Sequence, residues 1–247
     1  MSAESGKILC DLALHVDTRT DFYIFPYAGA GPSAFHHWQR ALKMEVNLTA
    51  IALPGREGRL TEPHPSQIEV VADEICAAIR LRGNRKCVFF GHSLGALLAY
   101  ECVKRFATGV NMPRMLFASG SVAPHIVCSR QSHRLPDEAL IKELRRLGGT
   151  PEEILQDREL LALRLPVLRA DLAMAENYVD TAGRRLSCPI MAYGGKDDSL
   201  VARKDLLAWS AHTRARCGTR IFHGGHFFIH TANDEVLRAI IYDLQSL

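Results

Sequence analysis

The residue best placed to do chemistry in this sequence is a serine between two glycines, in the stretch GHSLG at residues 91–95. A serine can form a covalent acyl intermediate when a neighbouring base removes its proton. Glycines two positions before and after Ser93 suit a tight turn, because a side chain at either place would crowd the backbone around the serine. The pattern alone is weak evidence, since it arises by chance in roughly one chain in twelve of this length.

The residues on either side of Ser93 predict a strand, a sharp turn and a helix. Residues 87–90 form a short apolar run typical of a buried strand, and residues 94–106 have the apolar periodicity of a helix. A serine in such a turn projects above the carboxyl ends of the strands. The helix that follows offers unpaired N–H groups and a partial positive charge, which both stabilise an oxyanion. This context favours a nucleophilic role for Ser93.

A serine nucleophile needs a base, and the base needs an acid that fixes its tautomer. His226 follows one predicted strand and two glycines, and Asp197 and Asp198 follow the preceding strand. Positions just after parallel strands face one crevice in an open α/β sheet. The chain order serine, aspartate, histidine is the order found in α/β-hydrolases. Position alone leaves both aspartates as candidates for the acid.

Six short apolar runs alternate with segments of helical periodicity along most of the chain. This alternation predicts an α/β fold, with a mostly parallel, doubly wound sheet covered by helices on both faces. The strands are expected at residues 22–27, 47–55, 87–91, 114–120, 188–195 and 219–225. The helices are expected at residues 33–44, 66–82, 94–106, 203–212 and 233–245.

The alternation fails within residues 121–186, where several helices follow one another without a strand. Glycine and proline at residues 148–151 separate one helix from the next, and Pro166 is expected to interrupt the longest. Helices inserted at this point would cover the carboxyl ends of the strands. We therefore expect an α/β-hydrolase core of residues 1–120 and 187–247 with an inserted helical lid.

The composition excludes several classes of function. The 247 residues are 47% hydrophobic and 23% charged, with a net charge of +3, which suits a globular protein with a sizeable core. So slight a basic excess argues against nucleic acid as a partner. The adjacent histidines at residues 36–37 face different sides of a predicted helix, and we expect no metal site.

The cysteines and the apolar segments indicate the cellular compartment. Seven cysteines are scattered along the chain without a Cys-x-x-Cys pair, which predicts buried thiols in a reducing environment. The first residues lack the pattern of a signal peptide, and no apolar stretch approaches the roughly 18 residues that would cross a bilayer. We expect a cytoplasmic protein that does not contact a membrane.

Six motifs taken together resemble the type II thioesterases, the free-standing α/β-hydrolases that serve polyketide synthases and non-ribosomal peptide synthetases. The motifs are FPYAGAG (25–31), LPGRE (53–57), GHSLGALLAYE (91–101), LRADL (168–172), GGKDD (194–198) and GGHFF (224–228). The resemblance spans nearly the whole chain. It is far more specific than Gly-x-Ser-x-Gly alone.

The resemblance implies a catalytic role for three side chains. By position, the catalytic serine of the family corresponds to Ser93, its histidine to His226 and its aspartate to Asp198. The family pattern favours Asp198 over Asp197, which is then a turn residue of the same loop.

The resemblance also implies an oxyanion hole made by two backbone N–H groups, those of Ala28 and Leu94. The sequence departs from the family pattern at two places. Tyr27 stands where many members have histidine, and Ser199 stands where proline is common. Tyr27 is expected to alter the wall of the substrate pocket.

Other residues have both a functional and a structural interpretation. Arg56 is a candidate for binding a substrate phosphate, but an ion pair with Glu57 or another loop acid is favoured, because such pairs are common. Met174 and Tyr178, on a lid helix, are candidates for substrate binding and equally for packing onto the domain. His92 is expected to have a packing role.

The resemblance implies a serine thioester hydrolase that releases aberrant or stalled acyl groups from acyl or peptidyl carrier domains of a synthase. Phosphopantetheine belongs to the carrier, so the enzyme itself is expected to need no cofactor. The family also suggests a monomer. Two alternatives use the same fold, namely a carboxylesterase or lipase acting on oxygen esters, and a non-catalytic scaffold that binds acyl carriers.

Overall fold

The protein is built around a central sheet. The computed structural model describes residues 8–15, 20–42, 46–106 and 112–245. The strands are β1 (Leu9–Ala13), β2 (Thr20–Phe25), β3 (Asn47–Ile51), β4 (Lys86–His92), β5 (Leu116–Ser119), β6 (Ile190–Gly195) and β7 (Cys217–Phe222). Within the described residues they form one sheet in the order β1-β3-β2-β4-β5-β6-β7. β1 pairs antiparallel with β3, and all other neighbours pair parallel.

Each of the six strands predicted from the sequence is present, although most end earlier than expected. The sequence did not predict β1, an antiparallel edge strand with a register irregularity between Asp11 and Ala13. Its five residues include only one that is buried, so they lack the continuous apolar character that marks the central strands.

The helices cover both faces of this sheet. They are α1 (Trp38–Leu42), α2 (Ile68–Leu81), α3 (Leu94–Arg105), α4 (Asp137–Leu147), α5 (Glu152–Gln156), α6 (Arg158–Asn177), α7 (Arg203–Leu207), α8 (Phe228–Thr231) and α9 (Asn233–Leu244). Along β4, Phe89 packs into one core cluster with α2 and α3, whereas Val88 and Phe90 pack into a second with α1 and α9. Alternate side chains of a strand point to opposite faces. The predicted doubly wound α/β-hydrolase fold is confirmed.

Two predicted helices are shorter than expected because each begins or ends as a 3₁₀ turn. In place of a helix over residues 33–44, a 3₁₀ turn at Pro32–Phe35 precedes α1, and Met44 lies outside the described residues. In place of a helix over residues 203–212, α7 is followed by a 3₁₀ segment at Ala208–His212.

The helices α4, α5 and α6, called the helical insertion below, lie between β5 and β6 and have a small apolar cluster of their own. Pro166 does not interrupt the longest helix, because α6 continues through it. A proline removes one hydrogen bond to the carbonyl group four residues earlier. That carbonyl belongs to Ala162, and both Ala162 and Pro166 are exposed, so the lost hydrogen bond falls on the solvent side of the helix. The bounds of the core and lid stay a prediction.

The cysteines follow the sequence prediction in part. All seven are free thiols, with Cys76, Cys87, Cys102 and Cys188 buried and Cys10, Cys128 and Cys217 partly exposed. Burial raises the pKa of Cys87 and that of Cys188 to about 12. No helix in the described ranges is long and apolar enough to span a membrane.

Candidate active site

Ser93 lies between β4 and α3 in a backbone conformation that residues other than glycine rarely adopt. Its φ is 56° and its ψ is −118°, and such strain persists only where the surrounding structure enforces it. A Cβ on Gly91 would overlap the carbonyl group of Gly95, and a Cβ on Gly95 would overlap the carbonyl group of Phe25. The two glycines are therefore required by the close approach of β4, α3 and β2.

His226 follows β7, and its ring is held by a carboxylate that follows β6. Nδ1 of His226 is 2.9 Å from Oδ2 of Asp198. The other oxygen of Asp198 accepts hydrogen bonds from the backbone N–H groups of Leu200 at 2.8 Å and Val201 at 3.3 Å. The Asp198 side chain is fully buried. Because the hydrogen bond at Nδ1 fixes the tautomer, Nε2 of a neutral His226 is free to accept a proton.

The two aspartates of the β6 loop have different surroundings. Asp198 faces His226, whereas Asp197 is exposed and its backbone N–H donates to the carbonyl oxygen of Gly224 at 2.9 Å. Ser199, which follows Asp198 in the sequence, accepts a hydrogen bond of 2.7 Å from Nη1 of Arg146 on α4. One departure from the family pattern thus joins the acid loop to the helical insertion.

Ser93 and His226 line one cavity of about 90 Å³. Its walls are mainly apolar and include Leu97 of α3 and Leu140 and Leu144 of α4. Among the hydrogen bonds of the described residues, none joins Ser93 to His226. Such bonds are often long in free enzymes and shorten only when substrate binds. The structure brings serine, histidine and aspartate together at the strand ends.

The two N–H groups expected to form an oxyanion hole approach from different elements. Leu94 is the first residue of α3, directly after Ser93, and Ala28 lies in the turn after β2. Neither N–H donates a hydrogen bond to another group in the part of the chain that the structure describes. Both donors are therefore available to a ligand. The helix N-terminus at Leu94 adds a partial positive charge.

A buried ion pair holds the loop that contains Ala28. Arg56 donates from Nη1 and Nη2 to the two oxygens of Asp171 on α6, at 2.5 and 2.8 Å. The same Asp171 accepts from the N–H of Gly29 at 2.7 Å, and Arg56 also donates to the carbonyl oxygen of Ala30 at 3.2 Å. The Asp171 side chain is fully buried and that of Arg56 is 7% exposed. The structural interpretation of Arg56 is correct, although its partner lies on a helix and is neither Glu57 nor another loop acid.

The sequence did not assign a role to Asp171, which is the main omission. A signal was present, because Asp171 follows Leu168 by three residues on the apolar stripe of a predicted helix. A carboxylate at such a position is rarely buried without a partner. The partner could not be read from the sequence, because it lies 115 residues earlier in the chain.

His92 and Tyr27 pack together beside His226. The ring of His92 lies 5.2 Å from that of His226 and 5.9 Å from that of Tyr27. Burial lowers the pKa of His92 well below its usual range, so this ring is neutral, and its Nδ1 lies 2.9 Å from Oγ of Ser119. Tyr27 lines a second, larger cavity, and its hydroxyl group is 3.0 Å from Nε2 of His230.

Met174 and Tyr178 do not lie where a substrate-binding role requires them. They are 2% and 7% exposed, belong to the main core cluster and line neither of the two cavities. The Tyr178 hydroxyl group donates a hydrogen bond to Glu101 on α3. The packing interpretation is therefore correct for both. Instead, Leu172 and Ala175 of α6 line the cavity at Ser93. The side of α6 that faces this cavity is therefore rotated about the helix axis from the side that was expected to face it.

The fold and these strand-end residues define the class of the protein. A mostly parallel sheet, a strained serine turn after a central strand and a histidine–aspartate pair after the last two strands are the features of an α/β-hydrolase. The sequence profile of the Thioesterase domain family matches residues 21–244. The chain belongs to this family of enzymes, which hydrolyse thioester bonds.

Individual relatives agree with this assignment. The chain is 37% identical over 225 residues to the gramicidin S biosynthesis protein GrsT of Aneurinibacillus migulanus, covering 90% of this chain and 88% of that protein. The type II thioesterase BorB from the borrelidin cluster is 33% identical, with a TM-score of 0.88 over 96% of this chain and 97% of that one. The thioesterase RedJ of the prodiginine pathway in Streptomyces coelicolor is 36% identical, with a TM-score of 0.85 over 92% and 91% of the two chains. The resemblance to type II thioesterases is confirmed.

No group of three or more histidine, cysteine, aspartate or glutamate residues suited to a metal ion occurs in the described ranges.

Proposed function

We propose that this thioesterase releases aberrant or stalled acyl groups from the phosphopantetheine arm of acyl or peptidyl carrier domains in a polyketide or non-ribosomal peptide synthase. The observation that carries the chemistry is the meeting of Ser93 with the His226–Asp198 pair at one cavity. Support for the carrier as partner comes from the relatives, which are named for gramicidin S, borrelidin and prodiginine biosynthesis.

In the first half of the reaction, Nε2 of His226 removes the hydroxyl proton of Ser93 while the serine oxygen attacks the thioester carbonyl carbon. The N–H groups of Ala28 and Leu94 donate to the oxyanion, and one such donor contributes about 3 kcal/mol at the transition state. Asp198 accepts from Nδ1 and stabilises the imidazolium. The C–S bond then breaks, and His226 gives its proton to the departing thiolate.

In the second half, a water molecule attacks the acyl group that is now bound to Ser93. His226 removes a proton from this water and returns it to the serine oxygen as the acyl–oxygen bond breaks. The products are a carboxylic acid, the free thiol of the carrier and the unchanged enzyme. Every step uses side chains and backbone N–H groups of this protein together with water, so we propose that no cofactor takes part.

The acyl group is proposed to enter the cavity at Ser93. At about 90 Å³ and with walls formed by leucines of α3 and α4, this cavity suits a short apolar acyl chain. Substitution of Leu140 or Leu144 by alanine should enlarge it and shift the preference toward longer chains, with less effect on the rate for acetyl substrates. An unchanged chain-length profile in both variants would contradict this role of the helical insertion.

The decisive experiment compares three substrates that share one acetyl group: a thioester on a phosphopantetheinylated carrier domain, the free pantetheine thioester and an oxygen ester. We expect the highest kcat/KM for the carrier-bound thioester. Ser93→Ala is the blank for each substrate. A preference for the oxygen ester, without any advantage from the carrier, would instead identify an esterase.

A fluorophosphonate probe distinguishes both enzymes from a non-catalytic scaffold. Labelling should occur at Ser93 and disappear in Ser93→Ala, because only an activated serine reacts with the probe. Absence of labelling in the folded protein would support the scaffold.

A further inference from the structure

A second cavity adjoins the one at Ser93 and is several times larger. Its volume is about 470 Å³, and its walls come from residues 27–34, 55–60 and 144–168. Leu144 lines both cavities. The two cavities are therefore neighbours with a shared wall on α4.

The proposed oxyanion hole divides between these two cavities. Leu94 lines the small cavity together with Ser93, whereas Ala28 lines the large one. A carbonyl oxygen that accepts from both N–H groups lies at their boundary, so the two substituents of the carbonyl carbon point to different sides. With the acyl chain in the small cavity, the sulfur and the arm that carries it occupy the large one.

Among the described residues, three charged side chains line the large cavity, and one of them is available to an anion. Arg56 is neutralised by Asp171. Glu57 accepts from the hydroxyl group of Ser33 at 2.6 Å. Arg164 of α6 is exposed and makes no ion pair or hydrogen bond within the residues that the structure describes.

The exposed edge of this cavity is apolar. Leu60, Leu160 and Leu163 are 57%, 39% and 62% exposed, and all three also line the cavity. Leu160 and Leu163 both precede Arg164 on α6, and Leu60 comes from the loop that follows β3. Exposed leucines grouped around a cavity entrance are typical of a surface that a partner covers.

We propose that Arg164 binds the phosphodiester of the phosphopantetheine arm, and that Leu60, Leu160 and Leu163 contact the carrier domain to which the arm is attached. The phosphodiester is the end of the arm next to the carrier, so it must lie where the arm leaves the enzyme. An unpaired guanidinium at that point matches the charge and hydrogen-bonding geometry of a phosphate. This inference rests on the proposed function, because it requires a carrier-bound thioester.

Three thioesters with the same acetyl group separate the parts of this surface. Acetyl-pantetheine has neither phosphate nor carrier, acetyl-phosphopantetheine adds the phosphate, and an acetylated carrier domain adds the protein. The wild-type kcat/KM should rise at each addition. The ratio between successive substrates then measures the contribution of the phosphate and of the carrier.

The variant Arg164→Gln should lower the ratio of acetyl-phosphopantetheine to acetyl-pantetheine roughly tenfold, the loss expected for one charge-assisted contact. The matched control is Arg158→Gln, on the same helix and also exposed but outside the cavity lining. It should leave the ratio unchanged. An equal ratio in Arg164→Gln and wild type would overturn the phosphate assignment.

The variant Leu163→Ser should lower the ratio of the carrier-bound substrate to acetyl-phosphopantetheine several-fold, mainly through KM. Its control is Leu81→Ser at the end of α2, where the leucine is 66% exposed and lies outside the cavity lining. Equal ratios in both variants would overturn the docking surface.

Failure of this inference differs from failure of the proposed function. If wild-type enzyme favours the carrier-bound thioester but Arg164→Gln and Leu163→Ser retain its ratios, only the inferred surface is wrong. If wild-type enzyme gains nothing from phosphate or carrier, the proposed partner is wrong and the surface with it.

Discussion

The two N–H groups of the proposed oxyanion hole are held by different means on the two sides of one cleft. On the Leu94 side, the turn at Ser93 is fixed by backbone contacts between β4, α3 and β2 that admit only glycine at two positions. On the Ala28 side, the loop is held by the side chains of Arg56 and Asp171, which are 115 residues apart.

The site therefore combines a backbone-held half at Leu94 with a half at Ala28 that is held by side chains. The serine turn keeps its shape as long as the central sheet is folded. The Ala28 loop depends on α6, which supplies Asp171 and also belongs to the helical insertion. A displacement of that helix would therefore move the proposed donor at Ala28 and leave the proposed donor at Leu94 in place.

The largest effect should come from the backbone-held half. Ser93→Ala removes the proposed nucleophile, and we expect kcat for a carrier-bound acetyl thioester to fall by about 10⁴ or more. Ser210→Ala, an exposed serine on the 3₁₀ segment after α7, is the control and should match wild type. Residual turnover within tenfold of wild type would show that another group attacks the thioester.

A second variant tests whether that half is held by its backbone. Gly95→Ala places a Cβ against the carbonyl oxygens of Phe25 and Pro26, and because backbone cannot yield as a side chain can, we expect a loss of about 3 kcal/mol or more in the free energy of unfolding. Gly58→Ala adds a Cβ that meets no atom within 4 Å and should be neutral. Urea denaturation of both variants is the measurement. Equal stability would show that the turn can relax.

The same difference explains what the sequence could predict. The serine turn, the β6 and β7 loops and the alternation of strands and helices are local patterns, because each depends on residues within a few positions of one another. They predicted the fold and the residues that meet at the cavity. The edge strand β1 was missed because only one of its five residues is buried.

The parts that the sequence could not predict depend on contacts between distant segments. The pairing of Arg56 with Asp171 requires knowledge of how α6 crosses the loops after β2 and β3. The same crossing decides that Met174 and Tyr178 face the core while Leu172 faces the cavity. The rotation of a helix about its own axis is set by packing, which periodicity alone does not determine.

The half held by side chains is tested by removing one charge. Asp171→Asn leaves the buried Arg56 without its counter-ion, and removal of one partner of a buried pair destabilises a protein by about 3 to 5 kcal/mol. We also expect kcat to fall roughly tenfold or more, since the loop that carries Ala28 is loosened. Glu152→Gln disrupts the exposed Arg145–Glu152 pair and should change neither quantity measurably.

A double variant separates stability from positioning. Arg56→Met combined with Asp171→Leu removes both charges, and such replacements often restore stability. The N–H of Gly29 still loses its acceptor, so kcat should stay low even if the free energy of unfolding recovers. Recovery of kcat together with stability would show that the ion pair is structural only.

A second long-range cluster attaches the helical insertion to the core. His125, before α4, lies with Nδ1 2.6 Å from Nε2 of His212, whose Nδ1 is 2.9 Å from the hydroxyl group of Tyr100 on α3. That hydroxyl donates to Asp180, after α6, at 2.6 Å. These three hydrogen bonds can form together when Nδ1 of His125 donates to His212 and Nδ1 of His212 donates to the Tyr100 hydroxyl group. This arrangement requires a neutral His212.

The smallest effect should be a pH-dependent loss of stability from this cluster. Burial, followed by the nearby His125, lowers the pKa of His212 to about 4, against about 6.5 in the unfolded chain. Between these values only the unfolded state binds the proton, so the free energy of unfolding falls as the pH falls from 6.5 to 4, by about 3 kcal/mol at most. Asp180, whose pKa is lowered by the hydrogen bonds from Tyr100 and Lys104 that outweigh its burial, contributes below that window. His212→Gln should therefore flatten the dependence between pH 6.5 and 4 and leave the loss below pH 4. Parallel curves for the variant and wild type would show that His212 takes up its proton as readily in the folded protein as in the unfolded chain.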